Sequence, residues 1–304
     1  MRIRTILAAA AAPAALAAAL LGSASGASAA ATAGPAPGHY LTHERFAGQI
    51  RQVPSSVIPH PHRPGNLVRH GSALTSNNWS GYALQACATC HLRYVESDFT
   101  LPSVNPADAA GTSDVFWASH WVGLDGLTTG SVEQTGVDAA VENGTVVYYA
   151  WYEMFPADPV VFQLAAQPGD NIDVAVYYNQ ADHLWTLSLN DTTQGVGVST
   201  NQVAPAGVSP ANTSAEVISE DPGGAVPGGY HLADFGQANY SGSRVTTYNG
   251  TRGGLASSSL WTSYPVTMRT NSTSPVMASP GALYAGSSGG IPVSAFSEFW
   301  HSDS

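Results

Sequence analysis

Three short segments carry the residue types from which acid–base chemistry is built. The run from Trp117 to Gly126 holds Trp121 and Asp125, and one short loop later comes Glu133, Gln134, Thr135, Gly136, Val137 and Asp138. A second run, Tyr148 to Pro156, contains Trp151, Tyr152, Glu153 and Met154. In a strand, alternate residues share a face, so Trp151 and Glu153 lie together while Tyr152 and Met154 take the other side. The third run, Ala215 to Pro222, puts Glu216, Ile218 and Glu220 on one face near a strand end, from which a carboxylate can be aimed into a cleft. From pattern alone Glu153, a carboxyl group beside an indole, is the stronger candidate for general acid–base work.

Other chemistries have less to build on. Past Gly71 the histidines are His91, His120, His183, His231 and His301, with no H-E-x-x-H helix and no G-x-S-x-G elbow. No metal ligand set stands out, and no cofactor is expected. Cys87 and Cys90 form a lone C-x-x-C. A zinc site would need two more ligands and a redox site a βαβ setting, so a short disulfide loop is the reading in an exported chain. Carboxylates, carboxamides and aromatics remain, a set suited to work in acid.

The elements that must position these groups are strands. Candidates run Trp79–Leu84, His91–Leu101, Val115–Val122, Val132–Val137, Thr145–Met154, Val160–Leu164, Ile172–Tyr178, His183–Leu189, Ser214–Ser219, Tyr230–Asp234, Arg244–Tyr248 and Val266–Arg269. Turn signals such as Asp125-Gly126, Asn143-Gly144, Gly169-Asp170 and Asn249-Gly250 separate them. Ile172, Val174, Val176 and Tyr178 alternate with Asp173, Ala175 and Tyr177 at a period of two. No amphipathic helical pattern of a dozen residues occurs. So many strands need two facing sheets to bury their apolar sides, which predicts an all-β fold, a two-sheet antiparallel sandwich of the concanavalin or jelly-roll kind over 72–270. A Ser/Gly-rich segment, 271–304, follows.

Composition bounds the partners. Of 304 residues only 10% are charged, against about 25% in ordinary domains. All ten basic residues are Arg, facing 21 acids. Nucleic acid is excluded as a partner, because phosphate binding needs clustered cations. Beyond Gly71 four Arg face 20 carboxylates, a formal charge of −16. That repulsion subsides as carboxyl groups protonate, so the body is suited to acid.

The first residues read differently. Arg2 and Arg4, an Ala/Leu-rich run and Ala27-Ser28-Ala29 have the layout of a signal peptide over 1–29. The run is interrupted by Pro13 and is too weakly apolar to anchor in a membrane, where about 20 apolar residues are needed. The expectation is a secreted, extracellular monomer with no membrane contact. Residues 30–71 are rich in Pro and His, with Arg45, Arg51, Arg63 and Arg69 against Glu44 alone. A basic leader on an acidic body predicts a prosegment docked by charge complementarity.

Taken in order, the marks from Asn77 to about Met268 resemble one family. They are Asn78-Trp79, Trp121 to Gly126, Gln134 to Asp138, Ala150 to Glu153 and Ala215 to Asp221. The family is the glutamic peptidases, or eqolisins, secreted acid endopeptidases known in fungi and also found in bacteria. The resemblance implies a sandwich of two curved sheets, with catalysis by Gln134 and Glu220 on the concave face. It moves the acid–base assignment from Glu153 to Glu220. It also implies a cleft lined by Trp79, Trp121, Asp125, Trp151 and Glu153, peptide or protein substrates, insensitivity to pepstatin, and the leader as the chain's own inhibitor. Trp79 and Trp121 serve equally well as core residues, and Asp125 before Gly126 as a turn former. After Asp221 this chain has Pro222, Gly223 and Gly224, where fungal members commonly carry an aromatic and another acid. The alternative is a carbohydrate-binding or glycoside-hydrolysing sandwich protein using Glu153 and Glu220 as its carboxyl pair.

Overall fold

The computed structural model describes residues 50–51, 62–109, 114–142, 145–224, 231–256 and 259–303. The signal peptide expected over 1–29 and most of the expected leader lie outside these residues.

Strands dominate, because β-branched and aromatic residues recur at a period of two between Gly-, Asp- and Asn-rich turns. One sheet runs, in spatial order, β1 (Ile50–Arg51), β9 (Val160–Phe162), β8 (Thr145–Phe155), β7 (Val132–Glu142), β6 (Phe116–Leu124), β13 (Ser214–Glu220), β4 (Trp79–Ala86), β17 (Trp261–Met268), β3 (Ala73–Ser76) and β2 (Val68–His70). The pairs are antiparallel except β17 with β3. A two-residue strand, β14 (His231–Leu232), adds in parallel to β6. The second sheet runs β12 (Val196–Gln202), β11 (Leu184–Asp191), β10 (Asn171–Asn179), β5 (Leu92–Thr100), β15 (Gln237–Thr247) and β20 (Ile291–Trp300). Short strands β16 (Arg252–Gly254) and β19 (Tyr284–Ser288) flank it, and β18 (Ala278–Pro280) pairs with both β17 and β20, joining the two sheets along one edge.

Val122, Val137, Ala215 and Val217 of the first sheet share one buried cluster with Val174, Val176, Leu187 and Val245 of the second. This is the core between the layers. A separate cluster, Trp79, Ala83, Trp121, Val132, Trp151, Ile218, Tyr264 and Val266, sits on the other face of the first sheet. The alternation that sends Val122 inward sends Trp121 outward. A sheet facing water would not carry four buried indoles and tyrosines there. This face is therefore roofed, and Leu67 of the segment leading into β2 packs on it.

The sequence reading ended the sandwich at residue 270, whereas β20 lies between β15 and β19 and buries Phe296 and Glu298. Its inward row, Ser294, Phe296 and Glu298, includes two polar residues, so it lacks the apolar signature that marks a buried strand face.

Candidate active site

Register assembles the site. Across β4, β13, β6, β7 and β8, one row of directly opposed residues reads Ala83, Glu216, Gly123, Gln134, Glu153. The next row reads Gly81, Ile218, Trp121, Gly136, Trp151, and the one beyond it Trp79, Glu220, Ser119, Asp138, Tyr149. Gln134 and Glu220 thus stand on one face, two rows apart, with the indoles of Trp121 and Trp151 between them. Gly136 keeps the space open: a Cβ there would lie 2.3 Å from the His120 carbonyl oxygen and 2.5 Å from Trp121 Cβ.

Both side chains reach the same residue, His62. Gln134 donates its carboxamide N–H to the His62 carbonyl at 2.8 Å and to Glu153 Oε2 at 2.9 Å. Glu153 Oε2 also accepts the His62 backbone N–H at 3.1 Å. Glu220 Oε2 meets His62 Nδ1 at 3.1 Å and accepts the Trp121 indole N–H at 2.8 Å, while Asn78 donates to Glu220 Oε1 at 3.2 Å. Asp138 Oδ2 lies 3.3 Å from His62 Nε2, and Asp138 Oδ1 accepts the Trp151 indole N–H at 2.6 Å. The His62 ring stacks on Trp151, centroids 3.8 Å apart and planes 5° from parallel.

Gln134, Glu153, Asp138 and Glu220 are fully buried, and His62 is among the residues that cover them. Burial raises the Glu220 carboxyl above its ordinary value, with the imidazolium of His62 and the Trp121 N–H acting the other way. Burial pushes Glu153 up further, well above its ordinary value, against the His62 charge. A carboxyl held that high is neutral in acid and suits the support of a carboxamide better than proton abstraction. For His62, burial by itself favours the neutral ring. Asp138 and Glu220 outweigh it and hold the imidazole charged, well above its usual range.

The remaining expected residues divide. Trp79 packs edge-on to Trp121 with centroids 5.0 Å apart, and Gly65 lies against its ring, where a Cβ would be 2.7 Å from Trp79 Cε3. Asp125 directs its carboxylate to the backbone N–H groups of Asn212 and Thr213, at 2.7 and 2.9 Å, in a left-handed turn with φ 68°. Cys87 and Cys90 are disulfide-bonded. Two residues absent from the sequence-derived site are Asn78 and Asp138. Asp138 was signalled by its spacing of four from Gln134, which returns a strand to the same face. Asn78 precedes β4, where periodicity gives no orientation. Gly224 has its own reason: a Cβ would come within 2.6 Å of the Asn77 carbonyl and 2.7 Å of the Asp221 carboxylate, leaving no space for a side chain. Among the described residues no group of three or more His, Cys, Asp or Glu is arranged to hold a metal, and no helix is long and apolar enough to cross a membrane.

The family model described as the peptidase A4 family matches residues 77–280. The chain belongs to this family and is a glutamic peptidase. It is 29% identical over 197 residues to aspergillopepsin-2 of Aspergillus niger, covering 59% of this chain and 67% of that protein. With scytalidopepsin B of Scytalidium lignicola it shares 31% over 162 residues, covering 52% and 56%. Its fold is similar to that of scytalido-glutamic peptidase solved with a transition state analog inhibitor, at 23% identity and a TM-score of 0.55, covering 74% of this peptidase and 98% of that chain.

Proposed function

We propose that this glutamic peptidase is a secreted, acid-active endopeptidase that hydrolyses peptide bonds with Glu220 and Gln134. Ionised Glu220 takes a proton from a water molecule as the water oxygen attacks the scissile carbonyl carbon. The Gln134 carboxamide donates to the oxygen that becomes negative, and Glu220 then returns the proton to the departing amine as the C–N bond breaks. A carboxamide does not titrate, so it donates throughout the acid range. Asn78 and Trp121 orient Glu220, and Glu153 orients Gln134. The leader acts as an intramolecular inhibitor, and export rests on the Arg2, Arg4 and Ala-rich pattern at the N-terminus.

The observation that carries this reading is a peptide carbonyl, that of His62, resting on the Gln134 N–H₂ while the same residue touches Glu220. A carbonyl on a carboxamide donor beside a carboxylate is what peptide hydrolysis requires and what sugar binding does not. The test incubates acid-treated protein with a denatured protein and with polysaccharides, with and without pepstatin. Expected is pepstatin-insensitive cleavage of protein in acid, abolished in Glu220→Gln and reduced roughly 10²–10³-fold in Gln134→Ala. Release of reducing sugar, or full activity in Glu220→Gln, would overturn the assignment.

A further inference from the structure

Asp138, Glu220 and Trp151 surround a space filled by one side chain of the chain itself. The His62 ring lies flat on the Trp151 indole, with one nitrogen at Glu220 and the other at Asp138. Its main chain is held as well, the N–H by Glu153 and the carbonyl by Gln134. The grip continues along the segment: Asn78 donates to the Arg63 carbonyl at 3.2 Å, and Gly65 passes against the Trp79 ring. Arg63 itself is exposed, so the cation inserted among the carboxyl groups is the histidine and not the adjacent arginine. On either side short strands tie the segment down, β1 to β9 and β2 to β3.

We propose that Asp138, Glu220 and Trp151 form a binding site for an imidazolium side chain, and that His62 fills it as the residue that keeps the chain latent. This rests on the proposed roles of Glu220 and Gln134. The carbonyl of His62 sits on the oxyanion donor as a substrate carbonyl would, but its ring nitrogen takes the side of Glu220 on which the attacking water has to be held. The segment is thereby bound like substrate and protected from cleavage. A fully buried cation between two carboxylates, stacked on an indole, is a strong contact as long as the carboxylates keep their charge.

The groups facing the ring are Glu220 from β13, Asp138 from β7 and Trp151 from β8, with Glu153 at its main chain and the uncharged Gln134 and Asn78 beyond. Acid adds no positive charge to an imidazolium that already carries it. What acid removes is negative charge at the carboxylates, so release is driven from the body and not from the leader. His62 differs here from a histidine that docks only on protonation, whose grip would tighten as pH falls.

The test has two arms, with acid-matured enzyme as the control that separates them from the catalytic reading. A peptide of residues 58–67 and its His62→Ala counterpart are titrated against the matured enzyme, cleaving a denatured protein at the highest pH at which it is active. The native peptide should inhibit at least tenfold more tightly, competitively with substrate, and lose that advantage as pH falls. In the full chain, His62→Ala should begin self-processing at a higher pH than wild type, while Arg63→Ala should not. Equal inhibition by the two peptides, or an unchanged processing profile in His62→Ala, would overturn the proposal while leaving the peptidase reading intact. Should His62→Ala fail to fold, the peptide arm still decides. An enzyme that cleaves no protein at any pH would instead sink the catalytic assignment.

Discussion

Glu153 on β8 accepts a hydrogen bond of 2.9 Å from the Gln134 carboxamide on β7, directly across the strand pair. The carboxyl group favoured by sequence pattern as the acid–base group thus holds in place the carboxamide proposed as oxyanion donor. Glu153→Ala frees the carboxamide to rotate and should lower kcat by roughly tenfold to a hundredfold, less than outright loss of the donor. KM should change little. Glu153→Gln keeps an acceptor oxygen and should recover part of the loss; steady-state kinetics on the three forms checks this.

The Trp121 indole N–H donates to Glu220 at 2.8 Å and favours its ionised form, the one the proposed base requires, against the upward push of burial. Trp121→Phe keeps the ring and removes the donor. With one stabilising contact gone, Glu220 is harder to ionise, so the acid limb of the kcat/KM profile should move to higher pH. An acid limb that stays in place would show that the indole serves only as packing.

Much of this site is visible in the sequence because a strand's period of two ties side-chain direction to spacing. Trp151 with Glu153, and Glu216 with Ile218 and Glu220, could be placed on common faces from spacing alone. Which of these faces meet depends on the register of β13 between β4 and β6, and β13 follows β6 by some 90 residues. No local pattern encodes that pairing, and only the family resemblance chose Glu220. His62 was one of five leader histidines, indistinguishable from the others until the fold put it beside Asp138. The strand β12, Val196–Gln202, lacks a clear apolar row because the two valines, Val196 and Val198, are followed on the same face by Thr200 and Gln202.

Gly136 lies between Trp121 and Trp151 in their row, and its missing side chain is what allows two indoles to flank the cleft. A Cβ would meet backbone at 2.3 Å, where nothing can swing aside. Gly136→Ala should therefore cost about 1–3 kcal/mol, the usual penalty of overpacking, read as a fall in thermal midpoint of several degrees. It should also lower activity in the protein that remains folded, by displacing Gln134 and Asp138 on the same strand.

Buried acids that the proposed chemistry does not use set the conditions under which the fold survives. Burial pushes Glu133 and Glu216 well above their ordinary values, and the charge of Asp125 adds to both while that of Glu133 adds to Glu216. On the second sheet burial raises Asp173 to about 8 and Glu96 to about 7, Glu96 despite its ion pair of 2.6 Å with Arg244. A carboxyl group whose pKa is higher folded than unfolded binds its proton more tightly in the fold. Its stabilising protonation is fully present below the unfolded value, near pH 4, and is lost as pH rises toward the folded value. Stability should accordingly decline from about pH 4 to pH 8, the reverse of ordinary acid denaturation. Glu216→Gln and Asp173→Asn remove the titration while keeping shape. Each should raise the thermal midpoint at pH 7.5 by about 2–4 °C per kcal/mol of relieved repulsion and desolvation. At pH 3.5, where the native carboxyl groups are already neutral, the midpoints should match wild type, so an equal gain at both pH values would assign the effect to packing instead.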